Sequence, residues 1–133
     1  MIEGYASLWG VEDLKGDVTA RGAFAESLRR TGSEGVRMLH RHDAGAAIGV
    51  WDEVWEDVRG LFVRGRIIAT SRTGRRVAAL ARSGALDGLS IGFRTAAARR
   101  EGRLRVLSRI DLREVSLVAF PALEAARFRV AGR

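Results

Sequence analysis

The chain has 133 residues, 47% of them hydrophobic, and a formal net charge of +7 at pH 7. A chain of this length and apolar content buries a substantial core, which excludes intrinsic disorder and predicts a single domain over residues 1–133. The sequence has no cysteine and only two histidines, so disulfides, thiolate metal sites, a cysteine nucleophile and a three-histidine metal centre are excluded. No apolar run reaches the length of a membrane span and no secretory signal is visible, so we expect a soluble protein with no membrane partner.

The sequence pattern predicts a β-rich chain with two helices. Short apolar stretches separated by glycines are typical of strands joined by turns. Val77, Leu80 and Ala81 form one apolar face of the second helix, and Gly84 follows at a position typical of a C-terminal cap. The predicted strands cover residues 2–9, 36–39, 47–55, 61–69, 89–95, 104–118 and 127–130, the helices cover 23–30 and 70–82, and 45–49 is a predicted loop. About seven strands with two helices favour an α+β fold built as a closed or nearly closed β-barrel with the helices packed outside.

Charge is divided unevenly between two parts of the chain. Residues 1–57 carry 6 basic and 11 acidic side chains, whereas residues 58–133 carry 17 basic and 5 acidic ones, a net charge of +12. A part of the chain this basic can attract nucleic acid or an acidic protein. The alternative interpretation is a solvated, arginine-rich surface.

The strand predicted at 104–118 carries a carboxylate in an unusual place. Its even positions are mostly apolar and its odd positions are rich in arginine. Because alternate residues of a strand share a face, Glu114 falls on the face predicted to be covered, where it needs a hydrogen-bond donor such as a histidine. Asp111 falls on the other face, where a surface ion pair with a neighbouring arginine accounts for it.

Ser90 lies between two glycines in a predicted strand and points away from the apolar side chains beside it. A serine hydroxyl is a weak nucleophile until a base takes its proton, and the bases available near neutral pH are His40 and His42. An acid behind the histidine fixes its tautomer and stabilises the imidazolium, a role that Glu114 can fill. The alternative interpretation of Ser90 is a small residue at a tight point of the strand.

The segment from His40 to Asp43 offers a second kind of chemistry. Two histidines and a carboxylate are a known set of metal ligands. Side chains at i and i+2 share a face only in a strand, however, and no further histidine exists to complete the site. We therefore expect no metal ion or cofactor, a partly buried strand position for His40, and a position facing a cleft for His42.

Together these features resemble the prohead proteases of HK97-type tailed bacteriophages, variants of which occur in gene transfer agents. The resemblance extends along nearly the whole chain. It rests on short segments in a fixed order: GYAS at 4–7, GDV at 16–18, GAF at 22–24, ML at 38–39, HD at 42–43, GLFV at 60–63, GALDGLSIGF at 84–93, DLREVSLV at 111–118 and PA at 121–122.

The resemblance implies a β-barrel surrounded by helices, as in herpesvirus assembly proteases, and a serine endopeptidase activity. By position in the matched segments, His42 would be the general base, Ser90 the nucleophile and Glu114 the third member of the triad. Asp111 is one alternative to Glu114. His40 is another, because the herpesvirus relatives use a second histidine in that role.

The resemblance also implies a substrate and a location. Such proteases remove the scaffolding segment of the major capsid protein, and commonly digest themselves, inside the assembling prohead in the cytoplasm of the bacterial host. The herpesvirus relatives are active as dimers, so the resemblance also implies that this chain can form a homodimer. A function of another class is a non-catalytic capsid-assembly or nucleic-acid-binding barrel that uses the basic part of the chain.

Overall fold

The computed structural model describes residues 1–131 and shows a strongly curled β-sheet accompanied by two helices. Gly84 ends the second helix in a left-handed conformation, with φ of 82°, as the sequence predicts. Within this part of the chain, no helix is long and apolar enough to cross a bilayer. The strands are β1 (Ile2–Leu8), β2 (Asp17–Thr19), β3 (Arg37–His40), β4 (Asp43–Glu56), β5 (Gly60–Ile67), β6 (Gly88–Glu101), β7 (Leu104–Val118) and β8 (Phe128–Val130), and the helices are α1 (Ala25–Thr31) and α2 (Arg72–Ser83).

Three elements differ from the predicted ones. β4 begins at Asp43, so the predicted loop at 45–49 is wrong and these residues are part of a strand. β6 continues to Glu101, although alanine and arginine are poor strand formers, because β7 offers it a hydrogen-bonding partner along the whole stretch. β2 is missing from the prediction because three residues are too few to show a period.

β7 pairs on both of its edges and lies next to β6, which forms one end of the sheet. One edge pairs with β6 in antiparallel orientation along nearly its whole length. The other edge pairs in parallel with β2 near its start and with β3 near its end. Between β2 and β3, the segment around α1 forms hydrogen bonds with this edge of β7. Ala23 O accepts the Ile110 N–H, and Ser27 Oγ accepts the Leu112 N–H at 3.0 Å.

The sheet continues from β3 through β4, β5 and β1 to β8, and it curls until its ends approach each other. Trp9, directly after β1, forms a parallel bridge with Thr19 of β2. Apolar side chains fill the interior, and α2 packs against β4, β5 and β8 with Val77 and Ala81 buried. The predicted β-rich α+β fold, a nearly closed barrel with helices outside, is confirmed.

A β-bulge at Arg113 changes which residues of β7 face the core. Gly92 is in register with Glu114, but the next residue of β6, Phe93, is in register with Leu112, so Arg113 has no partner. An extra residue in one strand reverses the alternation of side chains beyond it. The fully buried apolar residues nearest the bulge are Ile110 and Leu112 before it and Val115 and Leu117 after it.

The bulge places Glu114 on the opposite face from the one that the simple alternation predicts. Glu114 alternates with the buried Val115, so it does not share a face with the core residues upstream. The prediction that Glu114 lies on the apolar face of the strand is therefore wrong. The prediction that its side chain is covered is right, because that side chain is only 13% exposed.

Asp17 and Arg105 are in register across β2 and β7 and form a two-point ion pair. Arg105 donates from Nε and Nη2 to the two carboxylate oxygens, at 2.9 and 3.0 Å. These hydrogen bonds hold the pKa of Asp17 below its usual value, although burial raises it. A carboxyl whose pKa is lower in the folded state stabilises the fold above its unfolded pKa, and this contribution is lost as the pH falls through the folded pKa.

Asp17→Asn is expected to lower the free energy of unfolding by about 1–2 kcal/mol at neutral pH, because Arg105 loses its carboxylate. The deficit shrinks as the pH falls below about 4, where the wild-type carboxyl also becomes protonated. Urea unfolding at neutral and acidic pH measures both values. Glu101→Gln, which removes an exposed pair with Arg99, is the matched control with little effect at either pH. A deficit that does not change with pH would contradict the role of the ion pair.

Candidate active site

The turn between β3 and β4 carries His42. Arg41 and His42 are its two central residues, with φ of 54° and 63°, and His40 pairs with Asp43 on either side. Two residues of positive φ between paired antiparallel strands make a type I′ turn, which favours Asn and Gly. Arginine and histidine are disfavoured in this conformation because their Cβ atoms crowd the backbone. The turn therefore presents His42 at a cost in stability.

Arg41→Asn is expected to raise the free energy of unfolding by about 1 kcal/mol, because asparagine tolerates positive φ better than arginine. The backbone N–H of Arg41, which donates to Leu117 O at 3.1 Å, is unaffected by the change. Urea unfolding measures the gain. Arg21→Asn, at an exposed position without positive φ, is the control. A loss of stability in Arg41→Asn alone would contradict the strain assigned to the turn.

Glu114 contacts the imidazole ring of His42. The His42 Nδ1 atom lies 2.9 Å from Glu114 Oε2. An ionised carboxylate only accepts hydrogen bonds, so Nδ1 carries the hydrogen and Nε2 keeps its lone pair for another partner. The side chain of Glu114 is shielded, whereas that of His42 is 43% exposed. A ring held in this way can take up a proton at Nε2 while the carboxylate stabilises the resulting positive charge.

Ser90 lies on the same face of the sheet as Glu114. It is in register with Ser116, two residues beyond Glu114 on β7, and side chains directly opposite in antiparallel strands have Cβ atoms about 4.5–5.5 Å apart. Ser90 and His42 line one cleft of about 440 Å³. The structure thus brings His42, Ser90 and Glu114 together from the β3–β4 turn, β6 and β7.

Gly92 leaves the space that Glu114 occupies. The two residues are opposite each other across β6 and β7. A Cβ atom at position 92 would overlap the carboxylate of Glu114 and lie 2.6 Å from its Cγ. The second glycine of the GLSIGF segment is therefore needed for the carboxylate to lie across β6 and reach His42.

Ser116 is a site residue that the sequence analysis missed. It is fully buried, its Oγ accepts the backbone N–H of His42 at 3.0 Å, and its hydroxyl donates to Glu114 Oε1. Its spacing could have indicated its role. Ser116 is two residues from Glu114 in a strand, so the two side chains share a face. It also lies between the apolar Val115 and Leu117.

The other candidate residues lie elsewhere. His40 is in register with Leu117 of β7, on the face opposite to Ser116, and burial together with Arg41 and Arg76 lowers its pKa. Asp111 pairs with Arg30 and Arg113, each at 3.0 Å, as the surface ion pair expected for it. Among residues 1–131, no three His, Asp or Glu side chains gather as metal ligands would.

Many arginines of the basic part of the chain are engaged in ion pairs within the molecule. Several pair with carboxylates of the acidic part, which explains how the two oppositely charged parts coexist in one fold. The pairs that join the two parts include Arg103 with Glu12, Arg105 with Asp17 and Arg109 with Glu26. This internal use of charge favours the enzyme interpretation over a basic nucleic-acid-binding face.

Solved viral proteases share this fold. The capsid assembly protease of bacteriophage T4 matches with a TM-score of 0.69 at 17% identity, covering 87% of this chain and 79% of that one. The KSHV protease, solved with a hexapeptide phosphonate inhibitor, matches with a TM-score of 0.62 at 15% identity, covering 96% of this chain and 62% of that one. The curled sheet with its two helices thus places the chain in the fold class of phage and herpesvirus proteases.

Sequence comparison gives the family. The model of the Caudovirus prohead serine protease family matches residues 1–133. The prohead protease of Enterobacteria phage HK97 is 33% identical over 132 residues, which cover 95% of this chain and 57% of the HK97 protein. The chain therefore spans somewhat more than half the length of that relative. It belongs to the Caudovirus prohead serine protease family, and the resemblance inferred from its motifs is confirmed.

Proposed function

We propose that residues 1–133 act as a serine endopeptidase domain in which Ser90 is the nucleophile, His42 the general base and Glu114 the acid that orients His42. The observations that carry this proposal are the contact of 2.9 Å between His42 Nδ1 and Glu114 Oε2 and the cleft that His42 and Ser90 both line. The contact leaves Nε2 as the base for the serine hydroxyl, which is the arrangement that acyl transfer requires.

The proposed reaction has two stages. Ser90 Oγ attacks the carbonyl carbon of the scissile peptide bond while His42 Nε2 takes the hydroxyl proton, and the same proton then passes to the departing amine. Water next attacks the carbonyl carbon of the ester formed on Ser90 while His42 takes its proton. His42 then returns that proton to Ser90 Oγ as the ester bond breaks and the carboxylic acid product leaves. Glu114 stays ionised throughout and stabilises the imidazolium in each stage.

The proposed substrate is the scaffolding segment of the major capsid protein, cleaved inside the assembling prohead in the bacterial host. Membership of the family supports this substrate class, and the open cleft beside Ser90 can admit an extended peptide. Self-cleavage and a homodimer are further expectations. Both can be read from the mass and the elution volume of the purified protein.

The test is co-expression with a major capsid protein from the same genome, followed by intact-mass analysis of that capsid protein. Wild type and His42→Ala are compared, with circular dichroism to show that both are folded. We expect a defined truncation of the capsid protein with wild type that disappears with His42→Ala. Full-length capsid protein with both chains, together with salt-sensitive DNA binding, would instead support the non-catalytic alternative.

A further inference from the structure

Ser116 contacts both the base and the acid of the proposed triad. Its Oγ accepts the backbone N–H of His42 at 3.0 Å, and its hydroxyl hydrogen goes to Glu114 Oε1. The residue has no exposed surface, so water cannot replace either hydrogen bond. One hydroxyl group therefore connects the backbone of the base with the carboxylate of the acid.

Both connected groups need restraint. The backbone of His42 has φ of 63°, a conformation that persists only when surrounding contacts hold it. The carboxylate of Glu114 has a different partner at each oxygen, with the His42 ring at Oε2 and Ser116 at Oε1. A carboxylate held at both oxygens cannot rotate about its terminal bond, so the plane it presents to the ring is fixed.

We propose that Ser116 is a positioning residue, which orients the Glu114 carboxylate and thereby keeps His42 in the tautomer with hydrogen on Nδ1. This inference rests on the proposed serine protease function. Ser116 acts through its two partners and does not touch the substrate. The competing explanation is a purely structural serine that satisfies a buried backbone N–H.

Ser27 provides a matched control for that competing explanation. It is also buried, at 2% exposure, and its Oγ accepts a backbone N–H from Leu112 of β7 at 3.0 Å. Ser27→Ala and Ser116→Ala therefore remove the same group and leave one backbone N–H without its side-chain acceptor. The two variants differ in that Ser116 alone contacts His42 and Glu114.

The first readout is the rate at which an alkyl fluorophosphonate modifies Ser90, followed by intact mass. In this reaction the Ser90 Oγ bonds to phosphorus, fluoride leaves and His42 takes the proton. We expect Ser116→Ala to react about 10- to 100-fold more slowly than wild type, the effect of losing one hydrogen bond to a charged group. Ser27→Ala is expected to react within about twofold of wild type, and Ser90→Ala is the blank.

The second readout is the ¹⁵N NMR spectrum of the neutral His42 ring. Wild type and Ser27→Ala are expected to show one tautomer with hydrogen on Nδ1, whereas Ser116→Ala shows a mixture of both. If Ser116→Ala does not fold, Ser116→Cys replaces it, because a thiol has nearly the same size and is a weak hydrogen-bond donor. The same slow labelling and mixed tautomers are then expected.

Ser116→Ala with wild-type labelling and a single tautomer would overturn the inference and leave the proposed protease function intact. An equal slowing in Ser27→Ala would also overturn it, because that result assigns the effect to general destabilisation. If wild type neither reacts with the fluorophosphonate nor cleaves the capsid protein, the proposed function fails. The tautomer measurement needs no activity, so it still decides the role of Ser116.

Discussion

Ser90→Ala is expected to reduce cleavage of the capsid protein by about 10⁶-fold, because removal of the nucleophile from a triad costs about that much. The fold is expected to survive. Ser90 is half-buried, so the loss of its hydroxyl is expected to change the free energy of unfolding by less than about 1 kcal/mol. The measurement is a time course of cleavage by intact mass, with thermal unfolding of the same samples.

Ser108→Ala is the matched control for this prediction. Ser108 lies on β7 in the same hairpin, is exposed and donates to Ala97 O at 3.2 Å, and it takes no part in the proposed site. We expect the Ser108→Ala protein to cleave the capsid protein at the wild-type rate. Cleavage by Ser90→Ala at a rate similar to wild type would remove Ser90 as the nucleophile and require another group in the cleft.

Gly92→Ala is expected to reduce activity by at least about 100-fold and to leave the protein folded. The added methyl group would occupy the position of the Glu114 carboxylate, so the side chain of Glu114 must swing away from His42. The Glu114 side chain is flexible, so its displacement costs little stability. His42, however, loses its contact with the Glu114 carboxylate. Loss of the acid lowers the rate by up to about 10⁴-fold in a triad. Kinetics of cleavage, together with urea unfolding, separate the two effects.

Gly45→Ala tests whether any added methyl group in a strand has this effect. Gly45 lies in β4, and a Cβ there would meet only Asp43 Oδ1, at 3.3 Å. Its activity is expected to stay within about twofold of wild type. If Gly92→Ala keeps full activity, the contact between Glu114 and His42 is not needed for the reaction, and the role of Glu114 in the triad is wrong.

The sequence predicts most of the elements of the fold. It does so where a pattern is local, as in α2, whose apolar face and capping glycine lie within one short stretch. The roles of His42, Ser90 and Glu114 stay a prediction. The extent of β6 is not local. Its second half contains alanine and arginine, and it is a strand because the distant β7 pairs with it.

The bulge at Arg113 explains why the face of Glu114 is hard to predict. Alternation from Leu112 places Glu114 on the apolar face, and alternation from Val115 places it on the opposite one. Both sets of apolar residues are buried, so the sequence contains both phases and does not show where one replaces the other. The register with β6 is the information that decides it, and only the structure gives that register.

Ser116 was missed for a related reason. A serine in an apolar strand has no distinctive pattern, and its importance depends on the backbone N–H of His42, 74 residues away in the chain. The type I′ turn at residues 41 and 42 was missed because neither residue is a usual turn former. In both cases the role of the residue depends on contacts that exist only in the folded chain.

The pairing of β7 with strands on both of its edges determines when during synthesis the site can form. His42 and Ser90 emerge first from the ribosome, but β2, β3 and β6 all pair with β7, which ends at Val118. At ordinary elongation rates the ribosome needs on the order of seconds to pass from His42 to the end of β7. Until residue 114 is made the nascent chain lacks Glu114, and until β7 is complete it lacks the strand that joins β3 on one edge to β6 on the other. A growing polypeptide therefore has no complete proposed catalytic site before β7 has been made.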